Sequence, residues 1–151
     1  MSTERKRAGG REAQSMGSFF EILFHQRCLW AGFEVTRIPD GCKQIGPGRI
    51  VRVTSPFDWI ISKDAFIGLI DTKSTKGKSF AHSAIDRNQI SEMIKHKNLT
   101  SGYVIWFREL DRCVFIKSSD LHQRMFETGS IKLGDRDLID LGPKLDIKEI
   151  L

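Results

Sequence analysis

A chain of 151 residues with 40% hydrophobic and 28% charged side chains has the balance of an ordinary globular protein and is expected to form one domain with a real core. No run approaches the ~20 apolar residues of a membrane span, and the opening "MSTERKRAGGREAQS" lacks the apolar stretch of a signal peptide, so a cytoplasmic protein without a membrane partner is expected. The net charge of +5 favours a polyanion, and its distribution matters more than its sum: Arg5, Lys6, Arg7 and Arg11 crowd one end, Lys73, Lys76, Lys78, Arg87, Lys95 and Lys97 follow an acidic pair, and the stretch from Lys132 onward is balanced by aspartates.

Residues 1–14 read as a basic arm, able to begin a helix, ahead of a single domain over 15–151. "SMGSFFEILFHQRCLWAG" carries Met16, Phe19, Phe20, Leu23 and Phe24 at helical spacing, which predicts a helix over 15–31 stopped by Gly32. "FEVTRIP" alternates as a strand ended by Pro39, and the glycine-rich "DGCKQIGPGR" is a loop or an exposed hairpin. "IVRVTSPFDWIIS" and "AFIGLIDTKS" are β-branched and aromatic runs joined by the turn "KD", which predicts a hairpin. A basic loop from Thr75 to His82 leads to a helix within "SAIDRNQISEMIKHKNL". "SGYVIWFREL" and "CVFIKSS" read as two strands around the turn "DR", and Ser118 and Ser119 as N-caps of a short helix that Gly129 stops. The rest is irregular apart from a final strand or helical turn. The order predicts an α/β domain with a mixed central sheet flanked by helices. Cys28, Cys42 and Cys113 have neither disulfide nor zinc spacing and are expected reduced and partly buried.

Asp58, Asp71 and Lys73 stand in otherwise apolar segments. The "GKS" at 77–79 does not complete a phosphate-binding loop, because the first glycine position of that motif is Thr72, so no nucleotide cofactor is expected. Asp71 and Lys73, two apart in a strand, share a face, and Asp58 on the partner strand can reach the same edge. Two carboxylates against an apolar wall repel unless a divalent cation neutralises them, and magnesium suits such oxygen donors; a lysine beside them can orient a water or offset developing charge. The alternative at this point is that the aspartates end strands and pair with Lys73 or Lys63.

"SPFDWIIS" followed by "DTK" resembles the motif of the PD-(D/E)xK nuclease superfamily: Pro56 and Asp58 with one inserted residue, then Asp71-x-Lys73. Glu21 in "GSFFE" corresponds to the family's carboxylate on the helix before the sheet. Within the superfamily the chain is most similar to Holliday junction resolvases of the RecU type and the shorter archaeal or phage Hjc type, through roughly residues 15–110. Asp71 stands where Glu is commoner, and the segment from Pro39 to Thr54 is short for a RecU-type stalk. The resemblance implies a restriction-endonuclease-like core and a homodimeric endonuclease that resolves four-way junction DNA with magnesium, for which manganese would substitute. It implies Asp58, Asp71 and Glu21 as metal ligands, Lys73 as a catalytic group, Gln89 supporting them, and Arg5, Lys6, Arg7, Arg11, Ser74, Thr75, Lys76 and Lys78 on the DNA. Gln89 read by itself offers a hydrogen bond to a site residue, a phosphate contact or a strand-end cap. Two rivals stand beside the resolvase: a restriction or repair nuclease on linear duplex, and a basic DNA-binding module without catalysis.

Overall fold

The structure is a computed structural model whose backbone is described over residues 2–39, 41–47, 49–53 and 57–151 and whose side chains are described over 16–39, 47 and 57–151. Helix α1 spans Ser2–Trp30, so the helix expected over 15–31 is its C-terminal half. It buries Phe20, Phe24 and Cys28 every fourth residue. Gly32 ends it with φ +86°, its N–H donating to Leu29 O at 3.0 Å while Phe33 N–H donates to Cys28 O at 3.0 Å. This bond pair satisfies the last carbonyls and requires a left-handed residue that glycine adopts without strain.

Strand β1 (Glu34–Arg37) is followed by an antiparallel ribbon of β2 (Gly41–Gly46) and β3 (Arg49–Val53), then by β4 (Trp59–Lys63), with which β1 pairs. The run expected as one strand from Ile50 to Ser62 is therefore divided: its first part pairs with β2 and only its second part enters the main sheet. The hairpin of β4 with β5 (Phe66–Thr75) forms as expected, with Lys63 opposite Phe66. Its two-residue loop is Asp64-Ala65, one position later than the predicted turn, and Asp64 takes φ +53°, a conformation its short polar side chain tolerates.

Half of the predicted loop from Thr75 to His82 is strand: β5 continues through Thr75, and Ser79–Ala81 forms β6. A 3-10 turn (His82–Ala84) and helix α2 (Arg87–Ile94), capped by the Asp86 carboxylate on the N–H groups of Asn88 and Gln89, lead to β7 (Thr100–Phe107), parallel to β5. Strand β8 (Arg112–Lys117) returns antiparallel, and α3 (Ser118–Arg124) follows without a side-chain cap. Ser118 is not the expected cap. It lies inside the helix, buried, with its hydroxyl 2.7 Å from that of Ser101, since an interior hydroxyl must find an interior partner. Nor does Gly129 stop α3, which ends at Arg124; Gly129, at φ +118°, leads into β9 (Ser130–Lys132), which pairs with β6. Strand β10 (Leu138–Gly142) and a last 3-10 turn (Ile147–Ile150) complete the part expected as mostly irregular.

The main sheet has the order β1-β4-β5-β7-β8-β10, antiparallel except for β5 with β7. Alternation along the strands sends Trp59, Ile70, Val104, Trp106, Cys113 and Phe115 toward α1 and the C-terminal turn, and Tyr103, Ile105, Phe107, Val114 and Ile116 toward α2, α3 and the β6–β9 pair. Gly102 is dictated by close approach: a Cβ there would lie 2.0 Å from Ile116 O. Cys28 and Cys113 are buried free thiols, pushed up to about 12 by burial; the Cys42 side chain lies outside the described residues. Trp59 and Trp106 are core residues, whereas Trp30 is 72% exposed.

Candidate active site

The hairpin register and the start of β4 place Asp58 against β5. Its backbone N–H donates to Ile70 O at 3.1 Å, and its own carbonyl accepts from Ile38 N–H at 2.8 Å, so the residue is stapled to β5 on one side and to the end of β1 on the other. Its carboxylate accepts from the Thr72 hydroxyl at 3.4 Å, and that hydroxyl accepts from Trp59 Nε1–H at 3.4 Å. Asp71, one residue along β5, is 2% exposed. Lys73 Nζ lies 2.8 Å from its carboxylate, and Asp58, bonded through its backbone to Ile70, is its neighbour at the start of the adjoining strand. Asp58, Asp71 and Lys73 thus converge.

Burial pushes the Asp71 carboxyl up to about 6; Lys73 opposes the rise and Asp58 adds to it. Loss of water around the carboxyl thus outweighs its ammonium partner. The donor set is oxygen only, which fits a hard divalent cation held by one or two carboxylates. Among the described residues, no three or more His, Cys, Asp or Glu side chains are gathered so as to hold a metal ion.

Glu21 is brought near the pair but not into it. Its helix packs on the opposite face of the sheet from Asp71, and its carboxylate is bound by Arg37 at 2.8 Å. The same guanidinium reaches 4.0 Å from the Asp58 carboxylate and lies over the Trp59 ring, 4.9 Å from its centroid. The hydrogen bond it donates to Glu21 holds the Arg37 guanidinium above its ordinary range. Arg37 gives no signal in the sequence: it lies 21 positions before Asp58, and only the pairing of Arg37 with Trp59 across β1 and β4 brings it there. Gly17, which shares a helical stripe with Glu21, meets nothing within 4 Å of a Cβ, so it makes no close approach among the described residues.

Gln89 is buried on α2, where its amide oxygen accepts from the Tyr103 hydroxyl at 2.7 Å; the Tyr103 ring lies beneath Lys73, 5.1 Å from Nζ. Ser74 and Thr75 are strand residues, and the Thr75 hydroxyl donates to Ser79 O at 3.0 Å across the bend that carries Lys76 and Lys78. Lys76 and Lys78 are exposed, with Lys78 4.0 Å from Glu109. The side chains of Arg5, Lys6, Arg7 and Arg11, like Pro56, lie outside the described residues.

The six-stranded mixed sheet flanked by helices is a restriction-endonuclease-like fold. No protein-family model matches the chain, and no curated protein sequence does either. Among solved structures, the fold is similar to that of Hjc from Archaeoglobus fulgidus, a Holliday junction resolvase from an archaeal hyperthermophile, with a TM-score of 0.52 over 88% of this chain and 99% of that one at 15% identity. The fold expected from the motif is the fold observed. No described helix is long and apolar enough to cross a membrane.

Proposed function

We propose that the chain is a cytoplasmic, metal-dependent endonuclease that cuts four-way DNA junctions. The observation that carries this reading is the convergence of Asp58, Asp71 and Lys73 where β4 begins beside β5 in an Hjc-like fold, with the Asp71 carboxyl buried and raised. Asp58 and Asp71 would hold a magnesium ion, or manganese in its place, which when bound supplies Lewis acidity and a more acidic water for phosphodiester hydrolysis.

The chain's own groups divide the rest of the work. Lys73, fixed by Asp71, would orient the attacking water and offset the charge that develops on the phosphate. Arg37 pairs with Glu21 and reaches toward Asp58, so Glu21 would complete the ligand set only by exchanging that partner. Thr72 fixes the Asp58 carboxylate from its other side. Ser74, Thr75, Lys76 and Lys78, with Arg5, Lys6, Arg7 and Arg11, would contact phosphates, which positions the substrate without reading its sequence. Paired nicks in opposed strands need two symmetry-related centres, and hence a homodimer.

The test offers a four-way junction and a linear duplex of the same sequence together, with magnesium. Preferential, paired cutting of the junction by the wild type, lost by more than about a thousand-fold in Asp71→Asn while binding is kept, supports the reading. Preferential cutting of the duplex replaces it with a repair or restriction nuclease, and a wild type that binds without cutting makes the chain a DNA-binding module.

A further inference from the structure

We infer that Tyr103 is a positioning residue of this centre: its ring is the platform over which Lys73 is aimed, and α2 locks that platform from behind. Tyr103 lies opposite Asp71 in the parallel β5–β7 ladder, so its side chain projects to the face that carries Asp71 and Lys73. The ring is fully buried, and Lys73 Nζ stands 5.1 Å from its centroid, within the range in which a ring face attracts a cation. A lysine ammonium is a point charge on a flexible four-carbon stem. The Asp71 carboxylate at 2.8 Å sets its distance from one partner, and the ring beneath supplies the second restraint that sets its direction.

The platform itself cannot turn. The Tyr103 hydroxyl donates to Gln89 Oε1 at 2.7 Å and accepts from Asp86 N–H at 3.2 Å, and Phe80 meets the ring edge-on at 6.3 Å and 82°. Asp86 is also the N-cap of α2, so the first turn of that helix and the aim of Lys73 share one anchor. Burial holds the phenol well above its ordinary range, which keeps the hydroxyl a donor. Gln89 therefore acts through Tyr103, where the sequence left a site contact, a phosphate contact and a strand cap equally open.

The effect on cleavage rests on the nuclease reading; the contact does not. Two measurements keep them apart: steady-state junction cleavage, and NMR of 13C-lysine-labelled protein without metal, in which the Lys73 methylene signals nearest Nζ are displaced upfield by the ring. Tyr103→Phe keeps the ring but removes its bonds to Gln89 and Asp86, and is expected to retain part of the displacement and to lower kcat by about three-fold, less than the loss of the ring itself. Tyr103→Leu is expected to lose the displacement and lower kcat by about ten-fold with KM unchanged, and this loss disappears in a Lys73→Met background. Because leucine leaves a void in a buried site, 3,4,5-trifluorophenylalanine at position 103 provides an isosteric variant whose weakened ring face is expected to lower kcat in the same direction. A Lys73 signal indifferent to Tyr103→Leu, or an equal loss of kcat in the Lys73→Met background, overturns the inference. A wild type that does not cut ends the nuclease reading, while the NMR displacement still decides the Tyr103 contact.

Discussion

On the α1 side of the central sheet the interior is aromatic and aliphatic: Phe20, Phe24, Phe33, Trp59, Ile70, Val104 and Phe115 pack without a buried charge. On the α2 and α3 side the same strands face a mixed interior, and every buried polar side chain among the described residues, Asp71, His82, Gln89, Ser101 and Ser118, is found there. Each of these has a partner: Lys73 for Asp71, Tyr103 for Gln89, the two serines for one another, and the Arg124 guanidinium at 3.1 Å with Glu127 O at 3.2 Å for His82. A strand with period two can thus serve both purposes, stability toward one helix and chemistry toward the other. The polar side tolerates its groups only while they remain paired.

The comparison breaks first on the apolar side. Phe24 is fully buried with its ring 5.6 Å from that of Trp59, and Phe24→Ala is expected to lower unfolding free energy by about 4 kcal/mol, measured by denaturant titration. A loss below about 1 kcal/mol would mean that α1 is not the stabilising layer.

On the polar side, Asp71 is expected to cost stability. The native carboxyl takes its proton near pH 6 and the unfolded one near 3.8, so between these values the native protein holds the extra proton and stability falls as pH rises through the window. Without metal, wild-type stability should therefore drop by about 2 kcal/mol from pH 4 to pH 7, and Asp71→Asn should abolish most of that slope and be the more stable protein at pH 8. A flat wild-type profile would show that the Lys73 pair already outweighs burial.

The serine pair sharpens the rule with a smaller effect. Ser101→Ala leaves the Ser118 hydroxyl without its partner at a cost of about 1 kcal/mol, Ser118→Ala leaves the Ser101 hydroxyl its 3.5 Å bond to Met93 O and is expected to cost less, and the double variant is expected to lose less than the sum of the two. The smallest change is expected at Arg37, whose pair with Glu21 is 44% and 35% exposed: Arg37→Gln should alter stability by less than about 1 kcal/mol, and by nothing measurable in 1 M salt.

The convergence at the centre of the site is legible in the chain because it is local. Asp58, Asp71 and Lys73 belong to one hairpin, whose alternation and turn put them together without help from the rest of the fold. What escapes is what tertiary pairing brings in. Tyr103 sits in "SGYVIWF", where any aromatic reads as core, and its second use appears only when β7 is laid beside β5. Glu21 is one helical turn from Phe24, which is enough to place it near the sheet but not to show that Arg37 reaches it first. Strands β6 and β9 have three residues each and β10 five, too few for a clear alternation, so their pairing is decided by neighbours far along the chain. Ser118 has the residue type of a cap, and its burial against Ser101 depends on contact with another strand.

The ribbon β2–β3 is inserted between two strands that are themselves direct neighbours, and the bond from Ile38 N–H to Asp58 O closes its base. Additions to or deletions from such a closed excursion carry a small entropic penalty, growing only slowly with length. The insertion is thus a place where the chain can be lengthened, trimmed or replaced while Asp58 stays in register with Ile70, separating what varies from what must not move.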